Sequence, residues 1–310
     1  MRAAVLGVVA VAAVFAGLIG ASGAKTPARP EIAGVFGASG AKTPARPDTD
    51  PSAHTSQSAT SVLPEAPPTD PTQLAIDLNQ AQGVIDDPAS SSSELSSAGF
   101  FEQLATLTLN RERTGNRLKT LAGLDQQAAA TVRADLAAAA ALSRLVTPQR
   151  SLPRWKIVQP PPAATLLGYF KAAQARFGVA WQDLAAIEFI ETKFGRVVGL
   201  STAGAEGPMQ FLPATWARYG SGSVHDQRAA IFGAARFLVA NGAPGDIAGA
   251  LHHYNPSADY VSSVLDYAGR MRTDARAYFG YYTWQVLYAL DKRLIVLPVG
   301  YPTVRPAPLP

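Results

Sequence analysis

Between Trp181 and Phe194 the chain reads WQDLAAIEFIETKF. At about 100° per residue, Trp181, Leu184, Ile187, Ile190 and Phe194 form one apolar stripe of a helix, and Glu191 falls near the middle of that stripe. A carboxyl group in that position must either be paired or be held neutral by burial, and the neutral form is what a general acid needs near pH 7. Glu188, three residues earlier, lies on the edge of the stripe. Thirteen residues after Glu191 comes Gly204-Ala205-Glu206-Gly207-Pro208-Met209-Gln210-Phe211. Its two glycines frame a tight turn whose backbone can approach a ligand closely, and a proline-started helix follows. Further on, Leu251-His252-His253-Tyr254-Asn255-Pro256 ends another helix on two hydrogen-bonding side chains, Tyr254 and Asn255.

Other chemistries fit less well. The chain has no cysteine, which removes disulfides, thiolate metal sites and cysteine nucleophiles. Of its four histidines, His252 and His253 are adjacent and point about 100° apart on a helix, so no HExxH-type metal pair forms. No GxSxG elbow for a serine hydrolase occurs, and Gly220-Ser221-Gly222-Ser223 reads as a loop. The twice-seen GASGAKT is not a phosphate loop, because Ala24 and Ala41 stand where glycine must precede the lysine. Lys and Arg number 27 against 23 Asp and Glu, an excess of +4 with no basic run, which gives no sign of nucleic-acid binding.

The elements around these motifs divide the 310 residues into a mosaic. Residues 1–24 carry Arg2 and then an uncharged apolar stretch from Ala3 to Ala24, the pattern of an export signal or of an uncleaved membrane anchor. Residues 25–72 are rich in Pro, Ala, Thr and Ser and read as a disordered linker. A short tandem duplication, Ala16 to Pro30 and Ala33 to Pro47, runs into that linker. Residues 73–149 turn to helix formers, with Phe101, Leu104, Leu107, Leu118, Leu121, Val132 and Leu136 at helical spacings, predicting a helical hairpin or coiled coil of two or three segments that acts as a spacer. Residues 150–272 form the next domain, with a uniformly helical pattern from Pro160 to Met271. Helices are expected over Ala163 to Phe177, Trp181 to Phe194, Pro213 to Tyr219, Asp226 to Asn241, Asp246 to His253 and Ser257 to Ala268, the last stopped by Gly269. Residues 273–310 are aromatic: Tyr278, Phe279, Tyr281, Tyr282, Trp284 and Tyr288 suit either sugar stacking or a short strap packed on the helices, and the strap explains them more simply. The fold class is thus mainly α.

The order ET, GAEGPMQFLPATW, YNPSADYV resembles the three successive motifs of the lytic transglycosylases of bacterial peptidoglycan, in the soluble lytic transglycosylase group with a goose-type lysozyme-like fold. The resemblance covers Pro160 to Met271, and ETKFGRVVG is also similar to the equivalent stretch of membrane-bound B-type relatives, which aligns Glu191, not Glu188, with the family's acid. Three departures affect the shape of a groove more than its chemistry. Thr192 stands for the usual Ser, Pro208 for a common Leu, and the glycine usual two places after the YN pair is missing, with Tyr260-Val261 following almost at once.

The resemblance implies cleavage of the β-1,4 bond between N-acetylmuramic acid and N-acetylglucosamine, Glu191 acting first as acid and then as base while the muramyl C6 hydroxyl attacks C1. One carboxyl group suffices because water is not the acceptor, a departure from the two-carboxylate scheme. It further implies that Tyr254 contacts the catalytic glutamate and that Met209, Gln210 and Asn255 line or support the sugar groove. The expected partner is the peptidoglycan glycan strand, with no metal or organic cofactor, and residues 3–24 as a possible membrane contact; the expected location is the cell envelope. Two alternatives stay open: a lysozyme-type hydrolase using Glu206, Asp226 or Asp259 to activate water, and a non-catalytic peptidoglycan-binding protein.

Overall fold

The computed structural model describes residues 63–310. The export segment, the duplication and the linker up to residue 62 lie outside the described residues. Helix α1 (Pro71–Asp86) takes in the last two residues of the expected linker, because Asp70 caps it by accepting from the Gln73 amide at 2.8 Å and Pro71 suits the first turn. Three more helices follow: α2 (Ser92–Arg111), entered through a reciprocal Ser91 and Glu94 capping box, α3 (Thr114–Ala122), and α4 (Gln126–Leu145), capped by Asp125. Four helices thus stand where a two- or three-segment hairpin was expected. Leu74, Leu78, Ile85, Phe101, Val132 and Leu136 give α1, α2 and α4 a core of their own.

Strand β1 (Lys156–Ile157) leads into α5 (Ala163–Phe177), α6 (Trp181–Thr192), β2 (Val197–Val198), α7 (Pro213–Tyr219), α8 (Gln227–Ala240), α9 (Ile247–Tyr254) and α10 (Ala258–Thr273). The sequence pattern places these helices well, with two corrections. Helix α6 ends at Thr192, not Phe194, because Lys193, Phe194 and Gly195 all adopt left-handed backbone conformations. Helix α10 runs through Gly269 to Thr273, since the next residue, Arg270, is held in the interior. The two-residue ladder β1–β2 carries no legible alternation and was not expected.

The C-terminal segment is α11 (Ala277–Thr283), a hairpin of β3 (Val286–Leu290) and β4 (Arg293–Leu297), and β5 (Ala307–Pro308) on the free edge of β4. Tyr278, Tyr281 and Trp284 are fully buried in the main core, so these rings pack and do not stack on sugars. Helix α4 lies along α10, and α2 along α11, so the segments drawn at 73–149, 150–272 and 273–310 form a single unit.

Arg270 is the centre of that union. Its Nη1 donates to Asp135 of α4 at 2.8 Å, and its Nη2 to Glu102 of α2 at 2.8 Å and to Gln82 of α1 at 3.2 Å, with the three charged side chains at most 3% exposed. Tyr281 and Trp284 donate to Asp135 and Glu102 from the C-terminal segment. Two carboxyls face one guanidinium, and Asp135 is pushed up to about 7 by burial, with Arg270 opposing the rise. Removing Arg270 leaves both acids buried without their cation. Arg270→Met is expected to cost about 3–5 kcal/mol, and urea unfolding followed by circular dichroism and by tryptophan fluorescence should show one transition moved to lower denaturant for both probes.

Candidate active site

Eleven of the twelve residues of α6 are buried, Gln182 being the exception, so the helix has a solvent face nowhere and the expected stripe is an all-round core helix. Each polar group on it therefore needs an internal partner. At the entrance the Trp181 amide donates to Gln174 Oε1 at 2.7 Å, and Asp183 pairs with Arg272 of α10. At the exit the Thr192 hydroxyl donates to the Pro208 carbonyl at 2.6 Å and accepts from the Gly195 amide at 2.9 Å. That hydroxyl bolts the end of α6 to the glycine turn.

The turn is a small hairpin. Glu206 and Phe211 exchange both backbone hydrogen bonds, at 3.0 and 2.9 Å, while Ser201 Oγ gathers the amides of Ala203 and Ala205. Gly207 has φ +75°, and a Cβ there would sit 2.2 Å from the Val224 carbonyl oxygen, so no other residue fits. Gln210, at φ +49°, folds its Nε2 back onto the Gly207 carbonyl at 3.0 Å. The Met209 side chain is buried, and its carbonyl accepts from the Tyr254 hydroxyl at the end of α9.

Glu191 is 5% exposed, and its Oε1 accepts from the Tyr260 hydroxyl at 2.7 Å. Burial pushes the carboxyl up to about 7, against the Tyr260 hydrogen bond and the positive charge of Lys193, which pull it down. At neutral pH it is poised between acid and base. The phenol on the glutamate is thus Tyr260, in the first turn of α10, and not Tyr254 as the resemblance implied. Tyr254 stacks behind it, the two rings 3° from parallel with centroids 6.5 Å apart, and uses its own hydroxyl on the turn. The structure brings Glu191, Met209, Gln210 and Tyr254 into one linked assembly of α6, turn and α9. Asn255 caps α9 beside it, buried, with its Nδ2 unpartnered among the described residues.

The sequence signal for Tyr260 was present: it stands five positions after Asn255, just beyond the place where the usual glycine is missing. It reads as an anomaly until α10 is seen to present it inward. Glu188, expected on the edge of a stripe, is fully buried with neither carboxyl oxygen hydrogen-bonded among the described residues, and burial alone raises it well above 4.5. Glu206, a candidate for activating water, is half-buried with Oε2 3.3 Å from His225 Nε2. Beside that pair a cavity of about 230 Å³ is walled by Gly195, Val198, Gly207 and Pro208. Among the described residues no group of three or more His, Asp or Glu could hold a metal ion, and no helix is long and apolar enough to cross a membrane. Comparisons with family models, curated proteins and solved structures give no match.

Glu188 makes a prediction through linkage. Its folded-state proton affinity exceeds the unfolded one, so its contribution to stability is full below about pH 4.5 and is lost as pH rises toward the folded value. Glu188→Leu is expected to stabilise the fold by about 1–3 kcal/mol at pH 7, and thermal melts at pH 4.5 and pH 8 should show the gain widening with pH.

Proposed function

We propose that the protein is a peptidoglycan lytic transglycosylase with a goose-type lysozyme-like helical fold, acting in the cell envelope without a metal or organic cofactor. The observation that carries the reading is Glu191: one buried carboxyl, raised to about 7, hydrogen-bonded to a phenol and bolted through Thr192 to a glycine turn. That arrangement suits a group which must be acid in one step and base in the next. The order of the three motifs supports the same reaction.

In the proposed cycle neutral Glu191 gives its proton to the glycosidic oxygen as the bond from muramyl C1 breaks. The Glu191 carboxylate then takes the proton of the muramyl C6 hydroxyl as that oxygen bonds C1. The products are a 1,6-anhydromuramyl end and a free N-acetylglucosamine end, with no water consumed and the enzyme's proton restored. Tyr260 holds Oε1 in place and steadies the carboxylate between the steps, and the Met209 and Gln210 turn, braced by Tyr254, shapes the groove wall. Export by way of residues 1–24 would bring the protein to its substrate.

Incubation with purified peptidoglycan, followed by mass spectrometry, tests this. The unaltered protein should release anhydro-muropeptides, lighter than hydrolysed ones by one water, about 18 mass units. Glu191→Gln should lose turnover by a factor of about 10³ or more while keeping its circular dichroism. Glu188→Gln should retain most of it. Reducing ends would establish a lysozyme instead. Retention on insoluble glycan with no product from any variant would establish a binding protein.

A further inference from the structure

We infer that the outer face of the β1–β2 ladder binds an acidic peptide with small apolar side chains, the chemistry of the stem peptides that hang from a peptidoglycan strand. The inference rests on the reading of the protein as acting on peptidoglycan, and extends it from the sugars to the peptide. From Arg154 to Val158 the side chains alternate: Trp155 and Ile157 are buried, while Arg154, Lys156 and Val158 face outward. Lys156 stands opposite Val198 in the ladder, so Val198 shares the outward face. Leu200 joins it, its carbonyl accepting from the Trp155 indole at 3.3 Å. Leu152, Val158, Val198 and Leu200 are 43%, 37%, 42% and 61% exposed. Single exposed apolar residues need no explanation, but four gathered around two cations do. The side chains of Arg154 and Lys156 form no hydrogen bond or ion pair among the described residues.

Two cavities open on this face. One, of about 240 Å³, is walled by Leu152, Arg154, Leu200, Ser201 and Thr202; the other, of about 230 Å³, by Val158, Val198, Gly207, Pro208 and His225. Among the described residues no carboxylate lines either of them, and Glu206, beside the second, is engaged with His225. Cations without carboxylates call for an anionic occupant, and the leucines and valines beside them for one that also carries apolar groups. A bilayer needs a continuous apolar face, whereas two recesses with Lys156 between them along the chain suit the separate side chains of an extended peptide. Stem peptides carry free carboxylates and alanine methyl groups. Continuity with the glycine turn selects them: Ser201 Oγ accepts from two amides of the turn, and the Pro208 carbonyl holds the hydroxyl of Thr192, the residue after Glu191. A peptide borne by sugars at that turn meets the face from the side of the reacting bond.

The test compares glycan strands that bear stem peptides with the same strands stripped of peptide by an amidase, measuring both binding and release of anhydro ends. The unaltered protein should favour the peptide-bearing strands by about tenfold in kcat/KM and in affinity, and added salt should shrink that ratio. The double variant Arg154→Gln with Lys156→Gln, and separately Leu200→Ser, should bring the ratio close to one; all three positions are exposed, so circular dichroism should be unchanged. Equal handling of the two strands by the unaltered protein, or a ratio that neither variant moves, overturns the inference and leaves the transglycosylase reading standing. A binding preference for peptide-bearing strands that both variants lose, in a protein that releases no anhydro ends, keeps the peptide face and overturns the transglycosylase reading instead. Binding to phosphatidylglycerol vesicles that both variants lose, with no preference between the strands, assigns the face to a membrane and overturns the inference.

Discussion

A helix with no wet side must have its polar groups met from elsewhere in the chain, and α6 is such a helix. Asp183 is met by Arg272, Thr192 by the Pro208 carbonyl, and Glu191 by Tyr260. Two of these contacts tie α6 to α10 and the third ties it to the glycine turn, so the site's geometry follows from the need to satisfy buried groups. Glu188 is the one carboxyl on the helix for which the described residues provide no hydrogen bond. Its retention of the proton is what makes the burial tolerable.

The same constraint explains the chemistry that Glu191 can perform. Removed from water, its charged form is disfavoured; the hydrogen bond from the Tyr260 phenol partly restores it. The balance places the group near neutrality, where protonated and ionised forms interconvert with little bias. An exposed glutamate at the same point of the sequence would be a carboxylate and could serve only as a base.

The N-terminal helices belong to this arrangement and are more than a spacer. Tyr260 and Arg270 stand on the same helix, and Arg270 fixes α10 to α1, α2 and α4 through Gln82, Glu102 and Asp135. Ser263 adds a bond to the Ala138 carbonyl at 3.1 Å. The helix that aims the phenol at the glutamate is thus seated on the segment that carries no chemistry of its own.

Much of this was legible from residue order. Periodicity and end signals placed α5 and α7 to the residue: Gly178 closes α5 in a left-handed conformation, and Gly220 follows α7 where a side chain would strike Trp216. Glu191, the glycine turn and the YN pair stood out because apolar spacing and glycine are local properties. What stayed hidden depends on contacts far apart in sequence. The stripe of α6 proved to be buried all round because α5, α8, α10 and α11 surround it. The phenol on Glu191 came from position 260 and not 254, because both tyrosines are plausible by distance along the chain and only the packing of α9 against α10 orders them. Gly269 reads as a helix end, yet α10 continues because Asp135 and Glu102, more than a hundred residues earlier, hold Arg270 in place. The sequence by itself determined where helices form and which acid is set among apolar residues, for those are questions of near neighbours. Only the tertiary structure decided which hydroxyl and which helices surround that acid, because burial and partnership are set by residues that meet only when the chain is folded.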